Sequence, residues 1–394
     1  MRFFFLFLMF NCFFRVTYAQ LNAVVTDNVA TDHYLINDGN GNFSLGQELG
    51  FSSDWAVDFG DLNGDQAVDI LVGRDPDASI YLNDGNGTFD LHATIGLNLA
   101  EVFSVALADF DADGDLDALL GVQNGQFTSA NQVFLNDGSG GFTFSGQDFG
   151  PSNARSVAAA DLNGDGFPDI FEAVQGGPNR VWLNNGAAFF TATAQMLGNE
   201  TSFSVALGDL NGDGHLDAFV SNDGDADRVW FNDGAGNFTA SPQVFSERSS
   251  LAVALGDLDG DKDLDAVIGI DGAINFEPLE IWLNDGTGIF QLSANNPPIL
   301  RTLGIALGDV DQDGDLDIFT ANFGADLVFL NNGSGNFQNT TQAPTAGFTT
   351  SAALAFFGQT YPEAVSLWGS TYNALSLLAF RDQLRARFNH QNGR

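Results

Sequence analysis

The residues of this chain best suited to chemistry are aspartates, and their spacing repeats. Six segments read Asp-x-Asp/Asn-x-Asp, a sixth position that is mostly glycine, then x-x-Asp. They are Asp61, Asn63, Asp65 and Asp69; Asp109, Asp111, Asp113 and Asp117; Asp161, Asn163, Asp165 and Asp169; Asp209, Asn211, Asp213 and Asp217; Asp257, Asp259, Asp261 and Asp265; and Asp309, Asp311, Asp313 and Asp317. Every donor is an oxygen, which suits a hard cation such as Ca²⁺ with its six to eight oxygen ligands at about 2.3–2.6 Å. In a tight loop, positions 1, 3 and 5 converge, position 7 offers a backbone carbonyl, and position 9 closes the shell. Up to six calcium ions are expected. Gly114, Gly166, Gly214 and Gly314 hold the sixth position, while Gln66 and Lys262 replace it. The loops at Asp61 and Asp257 are therefore expected to depart from the common geometry. A helical EF-hand needs glutamate at position 12, where five of these six loops carry Val72, Leu120, Val220, Ile268 and Thr320. That reading fails.

No other motif competes. There is no Gly-x-Ser-x-Gly, no His-Glu-x-x-His and no phosphate loop. Of the four histidines, His215 sits inside an acidic loop at its backbone-ligand position. No catalytic residue or organic-cofactor site is assigned, and the chain reads as a non-enzyme.

The elements that must hold these loops come from the repeat. The first aspartates recur at intervals of 48 to 52 residues. A second motif, exemplified by Trp-Phe-Asn-Asp-Gly-Ala-Gly-Asn-Phe at 230–238, recurs with its asparagine at 37, 83, 136, 184, 232, 284 and 331. Short apolar alternations such as Ser204–Leu207 and Leu216–Val220 flank the acidic loops, and Asn-Asp-Gly supplies a hairpin turn. Four short strands per repeat describe a propeller blade, which buries its faces only against its neighbours. The expected fold is an all-β propeller of seven four-stranded antiparallel blades with calcium-binding loops.

Ala23–Phe43 aligns with Ala218–Phe238, and Ala352–Phe357 resembles a first strand. The ring is thus expected to close by joining C-terminal and N-terminal strands in one blade. Ala364–Trp368 and Ala374–Phe380 also resemble strands, so an eighth, partial blade is the alternative.

These loops and hairpins resemble FG-GAP/VCBS repeats, and their arrangement is similar to the propeller of integrin α subunits. The resemblance covers roughly residues 20–380. It implies the propeller fold, calcium at the blade loops, and extracellular binding or adhesion. No domains, membrane span or tail of an integrin follow, so an integrin-type partner is not implied.

The acidic loops and hairpin turns share one face of such a ring. On the other face, the connections between second and third strands are longer in two repeats, Gly121–Gln132 and Gly269–Glu280. Gln123, Asn124, Phe127, Asp271, Asn275 and Phe276 are the candidate ligand residues there, since loops on a rigid scaffold commonly carry function. Trp182, Trp230 and Trp282 precede hairpin turns and are expected in the core.

Composition limits the partners. With 51 acidic residues against 13 basic ones, the formal net charge is −38. Nucleic acid and anionic membranes are poor partners for such a body. The acidic loops hold 24 of the aspartates, so bound cations would neutralise much of this charge. Residues 1–19 pair a short basic start with an apolar run and Ala19, as a secretory signal does. They predict a secreted, extracellular protein, or a periplasmic one in a bacterium, and no later stretch is apolar enough to span a bilayer. Residues 20–380 form the propeller and 381–394 a basic tail. The function expected is binding of an extracellular protein or glycan, with a polysaccharide lyase or glycosidase-like enzyme as the alternative.

Overall fold

The computed structural model describes residues 20–51, 53–97, 101–123, 130–147, 149–245, 247–271, 278–297, 301–340 and 344–356. Among them there are 28 strands and no helix, arranged as a β-propeller. Consecutive strands pair antiparallel in four-stranded units, of which the described residues make seven. The fifth unit shows the plan: Ser202–Gly208, Asp217–Ala226, Arg228–Asn232 and Phe238–Ala240 pair in sequence order.

The innermost strands are Ala346–Ala355, Ser53–Gly60, Glu101–Ala108, Ala154–Ala160, Ser202–Gly208, Glu247–Gly256 and Thr302–Gly308. Each packs on the next, and the last returns to the first. Seven strands can converge on one axis only where their side chains are small. The residues Ala56, Ser104, Ser156, Ser204, Ala252, Gly304 and Ser351 meet that need. A Cβ on Gly304 would stand 2.9 Å from Ser351 Cα. Two of the serines also tie neighbouring strands, since Val157 N–H donates to Ser104 Oγ at 3.0 Å and Val205 N–H to Ser156 Oγ at 3.3 Å.

The ring closes as expected. Ala346–Ala355 pairs antiparallel with Asn22–Asp27, so the first unit takes its inner strand from the far end of the chain. Alternation along the strands aims apolar residues at both neighbours, and each core lies between two units. One such core joins Leu119 and Val133 of the third unit to Val157, Ile170, Trp182 and Phe190 of the fourth. Trp182 and Trp230 are buried and Trp282 packs edge-on against Phe245, in agreement with a core role. Residues 1–19, the two segments offered for an eighth blade, and the basic tail lie outside the described residues.

Candidate metal centres and the staples around them

In the fifth unit the loop from Asp209 to Asp217 is organised by its own carboxylates. Asp209 Oδ1 accepts the N–H groups of Gly212 (2.8 Å) and Asp213 (3.2 Å), and its Oδ2 accepts that of Gly214 (2.9 Å). Asn211 Oδ1 accepts Asp213 N–H at 2.9 Å, and Asp213 Oδ1 accepts His215 N–H at 2.9 Å. The loops at Asp61 and Asp161 repeat this scheme bond for bond.

Positive φ angles mark positions 4 and 6 throughout. Gly64, Gly164, Gly212 and Gly260 take the fourth position, but so do Ala112 (φ 63°) and Gln312 (φ 66°). At the sixth, Gln66 (φ 69°) and Lys262 (φ 82°) adopt the left-handed backbone that Gly114, Gly166, Gly214 and Gly314 adopt elsewhere. The expectation that these two loops depart from the common geometry is therefore corrected. Left-handed non-glycine residues cost of order 1 kcal/mol each and persist where the surroundings over-determine them. Here the Asp257 carboxylate, accepting Gly260 N–H at 2.8 Å and Lys262 N–H at 3.1 Å, enforces the turn.

The ninth-position aspartates are fully buried, and both oxygens of each are engaged. Asp217 Oδ2 accepts Leu210 N–H (3.1 Å) within the loop, and Oδ1 accepts Asn232 N–H (2.8 Å) from the third strand. Asp69, Asp117, Asp169, Asp265 and Asp317 do the same with their own loops and asparagines. Burial, reinforced by neighbouring loop aspartates, pushes Asp69, Asp117, Asp217 and Asp265 up to about 7 and Asp317 to about 8. An adjacent cation would reverse that shift.

The residues fit a calcium ion. In three loops the carboxylates of positions 1, 3 and 9 (Asp109, Asp111, Asp117; Asp257, Asp259, Asp265; Asp309, Asp311, Asp317) bring one oxygen each within 4.8 Å of the others. Asp111 Oδ1 is buried and has no hydrogen-bond partner among the described residues. Burial and mutual repulsion raise Asp111, Asp259 and Asp311 above the ordinary carboxylate range. The fifth-position aspartates are instead exposed at the rim, each holding the N–H of position 7. The remaining three loops substitute asparagine at position 3, supplying a neutral carbonyl oxygen.

Two sets of contacts between units were not anticipated. The seven hairpin asparagines are buried, and the side-chain amides of six reach across to the preceding unit. Asn232 Nδ2 donates to Leu162 O at 2.8 Å, the second residue of that unit's acidic loop. Asn37, Asn136, Asn184, Asn284 and Asn331 clasp Val310, Leu62, Phe110, Leu210 and Leu258 in the same way. Nearer the rim, Gln47, Gln147, Gln195 and Gln243 bridge to the next unit through paired amide bonds, as between Gln243 and Phe290 (2.7 and 2.9 Å). The seven-fold recurrence of asparagine was the available signal for the first set, and nothing in single-repeat spacing flagged the second.

Of the candidate ligand residues on the opposite face, Gln123 ends a strand and pairs with Glu101. Asp271 forms an ion pair with Arg301 (3.2 Å). Asn124, Phe127, Asn275 and Phe276 lie outside the described residues.

A ring of repeated four-stranded units with acidic loops on one face defines a repeat-built propeller, and comparison with known proteins refines that class. Family models for the FG-GAP-like repeat match residues 61–120, 119–172, 161–220, 209–268 and 309–357, and the chain belongs to that family. Its fold is similar to a lectin of Agrocybe aegerita described for specific recognition of non-reducing terminal N-acetylglucosamine (20% identity, TM-score 0.56, 87% of this chain and 97% of that one). It is also similar to the periplasmic gluconolactonase of Pseudomonas aeruginosa (13%, 0.63, 86% and 99%). A lectin of Burkholderia pseudomallei gives 17% identity and a TM-score of 0.53, over 84% and 99% of the two chains.

Proposed function

We propose that this protein is an extracellular, calcium-loaded module that binds glycans without transforming them. The observation that carries the proposal is the six-fold acidic loop, held in one strained backbone geometry even where glycine is absent. Structural strain retained at equivalent positions marks function better than composition does. Calcium would be held by positions 1, 3 and 9, with the backbone carbonyl of position 7 and the rim aspartate completing its oxygen shell. The ion would supply the positive charge that six carboxylate clusters, each with one buried aspartate, lack. Two lectins among the similar folds support a sugar as the ligand class.

The test uses purified protein, stripped with chelator and reloaded with Ca²⁺, on a glycan array and on a panel of polysaccharides and sugar lactones. Calcium-dependent retention without product is the expected outcome. Release of product would overturn the binding-only reading, and equal retention with chelator present would remove calcium from it.

A further inference from the structure

Each of the seven inner strands breaks its ladder with a β-bulge at the equivalent residue. The bulged residues are Trp55, Phe103, Arg155, Phe203, Leu251, Leu303 and Thr350. A bulge re-aims a side chain and is common beside functional sites. Four successive bulged residues touch along one arc of the ring: the Trp55 and Phe103 ring centroids lie 4.8 Å apart, and the Arg155 guanidinium lies 4.2 Å from the Phe103 ring and 4.6 Å from that of Phe203. They form a collar at the end of the ring opposite the acidic loops. Trp55, Phe103, Arg155, Phe203 and Leu303 all remain partly open to solvent.

Arg155 is the collar's one charged member. All six described arginines lie on this face, and five form ion pairs: Arg74, Arg180, Arg228, Arg248 and Arg301. Among the described residues no ion pair or side-chain hydrogen bond engages Arg155, and its buried Nε lacks an acceptor. Two phenylalanine rings pack against the guanidinium carbon, so its N–H groups are what it offers a ligand. An anion would be the simplest complement. However, Glu101 and Asp223 already lie within electrostatic reach, and the whole chain carries −38. A donor edge, flanking carboxylate acceptors and aromatic walls complement a neutral molecule whose hydroxyls both donate and accept.

We infer that the collar is a single binding site for one neutral sugar residue, with a vicinal diol on the Arg155 edge and its carbon face against Trp55. This deepens the glycan-binding reading and rests on it. The site occurs once because the arginine occurs once.

Calorimetry of the calcium-loaded protein with methyl glycosides of glucose, galactose, mannose and N-acetylglucosamine, and with glucuronate and galacturonate, tests it. A neutral glycoside should bind at one site per chain and shift a tryptophan emission that Trp55→Phe abolishes. Arg155→Met should weaken it by about ten- to a hundredfold, with Glu101→Gln reporting the same site if that variant does not fold. Several sites per chain, indifferent to Arg155→Met, would overturn the collar while leaving a glycan-binding module intact. Preference for the uronates would overturn the neutral-diol assignment. Binding of no sugar by the wild-type protein would overturn both the collar and the glycan reading.

Discussion

Asp217 and its five equivalents hold the loop and the third strand together before any ion arrives. Replacing Asp217 by alanine leaves two buried N–H groups without acceptors, a loss of about 2 to 4 kcal/mol. Asp213, at the exposed rim, holds one solvent-facing N–H. In chelator, then, Asp217→Ala should lower the melting temperature far more than Asp213→Ala, and similar melts would contradict this division of labour. Asp227 belongs to the other face. It is fully buried, accepts Asn222 N–H at 2.8 Å and Ser250 Oγ–H at 2.9 Å, and burial pushes it up to about 8 from 3.8. Between those values the native chain binds the extra proton. Its contribution to stability is therefore full below about pH 4 and is lost as pH rises toward 8. The melting temperature of Asp227→Asn, measured against wild type at fixed calcium, should gain steadily from pH 5 to pH 8. A constant difference would show that Asp227 does not titrate in that window.

At the level of elements, the hairpin asparagine couples six of the seven units to the acidic loop before it. Asn232→Leu preserves the side chain's size but strips the amide donor from Leu162 O and from Leu216 O of its own loop, at a cost of about 1–3 kcal/mol for the bond across the units. The distortion should fall on the loop at Asp161–Asp169, in the neighbouring unit. A double-mutant cycle between Asn232→Leu and Asp161→Ala, followed through the calcium-induced rise in melting temperature, should give a coupling above about 0.5 kcal/mol. Additive effects would mean that the clasp and the loop act independently.

Across the whole molecule, stability rests on interfaces between units and on closure through Ala346–Ala355. The one cysteine, Cys12, precedes the described residues, so no disulfide reinforces the ring there. Extracellular calcium modules with Kd near 0.1–1 mM would gain about 0.4–1.4 kcal/mol per site at ~1 mM Ca²⁺. Six sites together are a large share of a typical stability of about 5–15 kcal/mol. Chelation should lower the melting temperature substantially, and Ca²⁺ should restore it better than Mg²⁺, which dehydrates reluctantly. An unchanged melt in chelator, with no calcium detected by calorimetry, would end the metal reading.

The repeat, the acidic loops and the blade plan were legible in the sequence because each is local. Period-two alternation, Asn-Asp-Gly turns and aspartates two residues apart express themselves within a single unit. Closure was legible too, since Ala23–Phe43 and Ala352–Phe357 are displaced pieces of one repeat. Contacts between units were not. That Gln66 and Lys262 keep the loop's turn depends on carboxylates accepting backbone N–H groups, which outweighs the missing glycine. The asparagine clasps join residues about 70 positions apart, as between Asn232 and Leu162. The collar exists only because seven strands converge on one axis and bulge at the same level. Spacing along a chain determines which side chains share a loop. The packing of repeat against repeat decides which of them meet, and it placed Arg155 between Phe103 and Phe203.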